Sequence, residues 1–199
     1  VPAAERRVVY RSDQIAPRVE VRYLMPGVGH PDRPLFDVLL GVAQRTIDEA
    51  LDRRNISARV DANTRVVHTT RFGVPSSLNF ELVLSDESDI PRTETVLLST
   101  FDELGRTEVD SALVAIVQKH LRTDWHRLTL DAGRLAFEIG HFQTMDSWRT
   151  LQPYLEARDA ATPEDLMRLA ARYFVPENRT IGVVRSGSTE RAPISGGSR

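Results

Sequence analysis

Two hydrophobic periods alternate along this chain, and their order limits what it can build. Val19, Val21 and Tyr23 alternate with Glu20 and Arg22, the two-residue period of a strand with one buried face. Arg7 to Ser12 reads as a shorter partner strand. Pro26-Gly27 ends the extended segment, because proline donates nothing to a ladder and glycine permits a turn. From Leu35 the period changes. Leu35, Val38, Leu39, Val42, Ala43, Ile47, Ala50 and Leu51 recur three and four apart, an apolar stripe on a helix of about five turns. Asp32 is expected to cap it and Pro34 to sit in its first turn. Arg53 and Arg54 fall in its last turn, where cations oppose the helix dipole.

The period of two then returns. One strand is expected from Ser57 to Arg71, carrying Val60, Val66, Val67, Thr69 and Thr70, and another from Ser77 to Leu84, with Leu78, Phe80, Leu82 and Leu84 inward. Gly73-Val74-Pro75 reads as their hairpin connection. Beyond the polar loop Ser85 to Asp89, a helix from Pro91 to Leu104 presents Val96, Leu97, Phe101 and Leu104, with Gly105 as its C-cap. Thr107 is expected to cap a longer helical region reaching Met145, bent at Gly133 and Gly140. Asp146 to Ala160 reads as another helix with Pro153 near its start. Thr162-Pro163-Glu164-Asp165 is the sharpest local signal: a capping threonine, proline at the first helical position and acids in the first turn. Leu166, Leu169, Ala170, Tyr173 and Phe174 give that helix its face. Thr180 to Val184 is a continuously apolar strand, expected to be buried on both faces.

Strands, a helix, strands, several helices and a last strand predict the α+β class: a mostly antiparallel sheet with helices packed on one face. Residues 1–187 read as one domain and 188–199 as a flexible Ser/Gly-rich tail. The chain opens on Val1 without a signal region and reads as a processed piece of something longer.

Composition closes off several functions. Of 199 residues 41% are hydrophobic and 27% charged, ordinary for a folded domain. The net charge of -2 gives no bulk attraction for nucleic acid or an anionic membrane. No apolar run approaches the ~20 residues of a membrane helix. With no cysteine, disulfide scaffolds, Cys-zinc sites and thiol chemistry are excluded. Lys119 is the single lysine among 26 basic residues. The arginines are scattered, so base composition explains them better than an anion site.

No self-contained active site is visible. The histidines are His30, His68, His120, His126 and His141, and none has the four-residue partner spacing of a zinc helix. Glu138 and His141 share a helix face as half of a di-iron motif, and the second Glu-x-x-His is absent. His120 and His126 point to different sides and read as surface groups. Ser186-Gly187-Ser188 lies in the tail and is no nucleophile elbow. Gly27-Val28-Gly29 is too short to cradle phosphate. Asp86-Glu87-Ser88-Asp89 lacks the spacing of a calcium loop.

The ends of the chain carry a resemblance. Ala161-Thr-Pro-Glu-Asp-Leu-Met-Arg-Leu-Ala-Ala-Arg-Tyr-Phe-Val-Pro-Glu-Asn-Arg-Thr-Ile-Gly-Val-Val184 resembles the closing helix and strand of M16 (pitrilysin/insulinase) metallopeptidase domains. The strand ending at Pro26, then His30-Pro-Asp32 and the helix Leu35-Phe-Asp-Val-Leu-Leu-Gly41, is similar to the opening of the family's non-catalytic C-terminal domain. The resemblance covers about residues 6 to 185. It implies a domain without its own catalytic residues, cofactor or metal. The partner would be a domain or subunit bearing His-x-x-Glu-His, which holds the zinc and hydrolyses peptide while this domain closes the chamber and helps bind substrate. Homo- and heterodimers are both compatible with it. Where the family pattern resembles Leu-Arg-x-x-Gly-Leu-Ala-Tyr, this chain reads Leu51-Asp52-Arg53-Arg54-Asn55-Ile56-Ser57-Ala58. Asp52 stands at the arginine position and Ala58 at the tyrosine, with Arg53 or Arg59 left to substitute for the arginine. Gly41 is the one glycine kept of the turn that usually precedes this segment. These losses leave a second expectation open, a structural or assembly domain of the same fold with no peptidase activity.

Overall fold

The computed structural model describes residues 4–27, 29–65 and 76–187. Five strands form one sheet: β1 (Arg6–Ser12), β2 (Arg18–Met25), β3 (Ala58–Arg65), β4 (Ser76–Leu84) and β5 (Arg179–Ser186). Their order is β1-β5-β2-β4-β3. The strand that arrives last in sequence therefore lies between β1 and β2. It runs parallel to β1 and antiparallel to β2. The β2–β4 and β4–β3 pairings are antiparallel. Six helices accompany the sheet: α1 (Leu35–Asp52), α2 (Ile90–Leu104), α3 (Ser111–Thr129), α4 (Ala132–Met145), α5 (Leu151–Asp159) and α6 (Pro163–Tyr173).

The core lies between the sheet and its helices. Val19, Val21 and Tyr23 of β2, Leu78, Phe80 and Leu82 of β4, and Ile181 of β5 are fully buried. They meet Phe36, Val38, Leu39, Val42 and Ile47 of α1, Leu97 and Phe101 of α2, and Leu166 and Leu169 of α6. Tyr23, Phe101 and Phe174 stack with centroids 4.8 to 5.1 Å apart, and Phe80 lies 4.8 Å from Phe101. Each pair adds about 0.5–1.5 kcal/mol beyond its buried area.

Several local expectations change. β5 is buried on one face only, because Thr180, Gly182 and Val184 lie on the side no helix covers. Asp32 does not cap α1. Pro34 holds that position without a side-chain cap, and the Asp32 carboxylate accepts from Arg168 at 3.1 Å instead. Arg53 and Arg54 lie just past the helix and donate to the Glu49 and Ala50 carbonyls. Gly105 is the C-cap of α2 as expected, in right-handed geometry. Its reason is proximity: a Cβ there would stand 3.1 Å from the Ala171 backbone of α6. The long helical region is two helices. Asp110, rather than Thr107, caps α3 through the Ala112 amide, and Asp131 starts α4 by accepting from the Arg134 amide at 3.0 Å. The break thus precedes Gly133. Thr162 caps α6 as expected, and Asp165 answers it to complete a capping box. The strand expected to Arg71 is seen as β3 to Arg65. Val66, Val67, His68, Thr69, Thr70, the connection Gly73-Val74-Pro75 and the tail 188–199 lie outside the described residues.

Candidate functional site

Residues Leu51 to Ala58 join the end of α1 to the start of β3. Asp52 is the last helical residue and is exposed. Asn55 turns the chain at φ 51°, the left-handed conformation that asparagine tolerates better than most residues. The glycine expected there by resemblance is thus replaced without losing the turn. Ala58 opens β3 opposite Leu84 and packs against the core. Arg59 stands one residue on, so it projects from the other face of the sheet. Arg53 donates to the Glu49 carbonyl at 3.3 Å and so is tethered to its own helix.

Across β2, β4 and β3 the face of the sheet turned away from the helices carries rows of polar side chains set by the register. Glu20, Glu81 and Asp61 form one row across β2, β4 and β3. Arg22, Asn79 and Asn63 form the next. The Arg22 Nε donates to Asn79 Oδ1 at 2.7 Å, and Asn79 Nδ2 donates to Asn63 Oδ1 at 3.2 Å. Arg18 pairs with Glu81. Glu20, Arg22, Asn63, Asn79 and Glu81 line a hollow on this face. Carboxylates directly opposite one another cost stability, and Arg18 offsets only part of that. The surface offers donors and acceptors to an extended polar chain. It presents no nucleophile with a base.

The four histidines among the described residues do not converge. His30 accepts from the Asp32 amide at 3.1 Å. His120 accepts from Arg45 at 2.7 Å. His126 lines a groove between α3 and α5 with Arg122, Trp125 and Arg158. His141 stacks on Phe137 within α4. Among the described residues no three His, Asp or Glu side chains are grouped to hold a metal ion. The donors among the described residues do not fit a zinc site.

Two polar networks join residues far apart in sequence and were not visible in it. Tyr154 of α5 donates to Asp37 at 2.8 Å, and Arg33 donates to the Tyr154 oxygen at 3.4 Å. Burial pushes this phenol far up, reinforced by the Asp37 charge. The network sits at the first turn of α1, where Asp37 lies about 22 Å along the helix from Asp52, so Tyr154 and Arg33 cannot stand in for the groups missing there. The second network fastens α6 to the turn before α1, through Arg168 and Arg172 on Asp32. Asp37, Tyr154 and Arg168 carry no local signal that would have paired them.

No protein-family model and no curated protein matches the sequence. Solved structures do match. The inactive peptidase domain of a candidate zinc protease from Bordetella parapertussis superposes with TM-score 0.77 at 21% identity, over 92% of this chain and 98% of that one. A candidate M16-like peptidase from Alicyclobacillus acidocaldarius gives 0.70 at 9% identity, over 92% of this chain. A chain of Complex III2 from Candida albicans gives 0.74 at 12% identity, over 89% of this chain. This chain spans 44% and 45% of the last two, less than half their length. Its fold is that of M16-like peptidase domains, the inactive kind among them.

Proposed function

We propose that this chain is the non-catalytic domain of an M16-type zinc metallopeptidase. It walls the peptide chamber and helps hold substrate, while a partner domain bearing His-x-x-Glu-His binds zinc and hydrolyses the peptide. The observation that carries this reading is the likeness to an inactive peptidase domain along 92% of the chain. Two features support it. The helices cover one face of the sheet, which leaves the hydrogen-bonding face with Arg22, Asn63 and Asn79 for a water-filled chamber. Among the described residues no three donors are grouped to hold a metal ion, which is compatible with zinc being held by the partner.

The test is reconstitution. Mixed with a His-x-x-Glu-His chain encoded beside it, the domain yields zinc-dependent cleavage of an unstructured peptide, and neither chain cleaves alone. Cleavage by this chain by itself overturns the reading. Arg22→Ala in the active mixture raises KM several-fold and leaves kcat near its starting value, the pattern of lost uniform binding.

A second reading has its own support. The tyrosine position is Ala58, half-buried against the core, and the arginine position is the acid Asp52. An oxyanion donor contributes on the order of 3 kcal/mol. Together with the likeness to a chain of Complex III2, this favours an assembly domain without peptidase activity. A stable complex that never cleaves peptide, with zinc present and across a peptide panel, decides for it.

A further inference from the structure

The two edges of the sheet differ. On β3, Arg59, Asp61 and Asn63 are exposed, and Val60 and Ala62 lean on the core. That is a guarded edge of the kind folded proteins use to prevent further pairing. On β1 the centre is Val8, Val9 and Tyr10, exposed by 60%, 55% and 51%. The strand has seven residues, and among the described residues it pairs on one side only, with β5. The register places Val9 beside buried Val183, on the helix side, and Val8 and Tyr10 beside Gly182 and Val184, on the open side. The helix layer therefore stops short of β1, and apolar side chains are exposed on both faces. A body resting on one face shields Val9 or the Val8–Tyr10 pair, but not both. A strand laid alongside in the plane of the sheet shields all three.

We propose that two copies of this chain pair along β1, antiparallel about a twofold axis at Val8, so that their five-stranded sheets become one. Charge selects both the occupant and the register. A twofold perpendicular to a sheet pairs residues of the same face, so the axis passes through a residue. At Val8, Val8 meets its own copy, Arg7 meets Val9, Arg6 meets Tyr10 and Glu5 meets Arg11. The Glu5–Arg11 pairs are opposite charges directly across the seam, a favourable cross-strand arrangement. Arg6 lies against a tyrosine ring. Arg7 keeps its own partner, Glu94, at 2.8 Å. One residue either way, the match is lost. An axis at Val9 sets Arg7 against Arg11, and an axis at Arg7 sets that arginine against itself. Glu5 already holds Arg179, and Arg11 donates to the Ser186 carbonyl at 3.3 Å, so both ends of the strand are positioned before pairing. One short strand buries less than the ~1,200 Å² of a standard interface, so the association is weak and follows concentration.

The absence of cysteine from the sequence makes the seam directly testable. Val8→Cys in the full chain places two thiols opposite each other at the axis, within reach of a disulfide. Under mild oxidation it gives a covalent dimer at least tenfold faster than Asp61→Cys on the opposite edge. Equal rates at the two edges overturn the proposal. Sedimentation equilibrium of the unmodified chain, from roughly 1 µM to 1 mM, shows a mass rising from one chain toward two. Val8→Lys and Arg11→Glu each weaken that association about tenfold or more, while circular dichroism melting stays within a few degrees because both positions are exposed. A single-chain mass at every concentration, or a dimer indifferent to both substitutions, overturns the proposal as well.

Discussion

Asp52 closes α1 with a negative charge at the end where the helix dipole favours cations, four residues after Asp48. Desolvation pushes the Asp48 carboxyl above its ordinary range, and Asp52 pushes it further. A carboxyl raised in the folded state loses stability as pH rises through its titration and regains it on acidification. Asp52→Arg turns the repulsion into an attraction of the i,i+4 kind. It is expected to stabilise the chain by about 0.3–0.5 kcal/mol at neutral pH, with the gain fading below the carboxylate range. Thermal melts at two pH values check this. Tyr23 gives the alkaline counterpart. Its hydroxyl is buried; the Arg179 guanidinium acts on it without closing a well-formed hydrogen bond. Burial pushes the phenol from 10.0 up to about 12, against the pull of Arg179. Stability from this group is present below pH 10 and lost as pH rises toward 12, about 2–3 kcal/mol in all. Tyr23→Phe removes that alkaline limb and changes stability little at neutral pH, since no well-formed hydrogen bond is lost. An unchanged alkaline slope in the variant contradicts the assignment.

At the level of elements, α1 and α3 meet where Gly41 faces Val117. A Cβ on residue 41 would stand 2.6 Å from a Val117 methyl, and a β-branched side chain has little rotamer freedom to yield. Gly41→Ala is expected to cost about 1–3 kcal/mol. Val117→Ala in the same chain recovers much of it, and additive costs in that double-mutant cycle count against the contact. The same glycine shows what the sequence discloses and what it withholds. The resemblance places it in a turn, whereas it lies inside α1, and its reason lies in a helix 76 residues away, from Gly41 to Val117. The inward faces of α1, β2 and β4 were legible because period and burial are the same fact stated twice. The capping box at Thr162 was legible because all its atoms are local. The break at Asp131 was not, since glycine drew attention to the wrong residue, and neither was Asp32, whose cap-like identity concealed a tertiary bond to Arg168. Of the candidate site, the polar alternation of β2 and β4 could be read directly. The Tyr154–Asp37–Arg33 network could not.

Over the whole molecule, four aromatic rings from β2, β4, α2 and the end of α6 meet in one cluster around Phe101. Phe101→Ala is expected to cost about 3–5 kcal/mol, a large share of the stability of any single domain. It should lower the midpoint of one cooperative transition rather than split it, and two separated transitions count against a single core. The position of β5 has a further consequence, for how such a chain is made. Arg6 is paired with Thr180, so the first strand emerges from the ribosome long before its neighbour exists. Until the last strand arrives, β1 has nothing to pair with and β2 carries a bare edge. Everything between the first strand and the last must be synthesised before this sheet can close. Loop-closure entropy over that span must be met before the pairing gives anything back. During that interval the slot between β1 and β2 stays open, and a chain that stops short of β5 leaves it open to foreign strands.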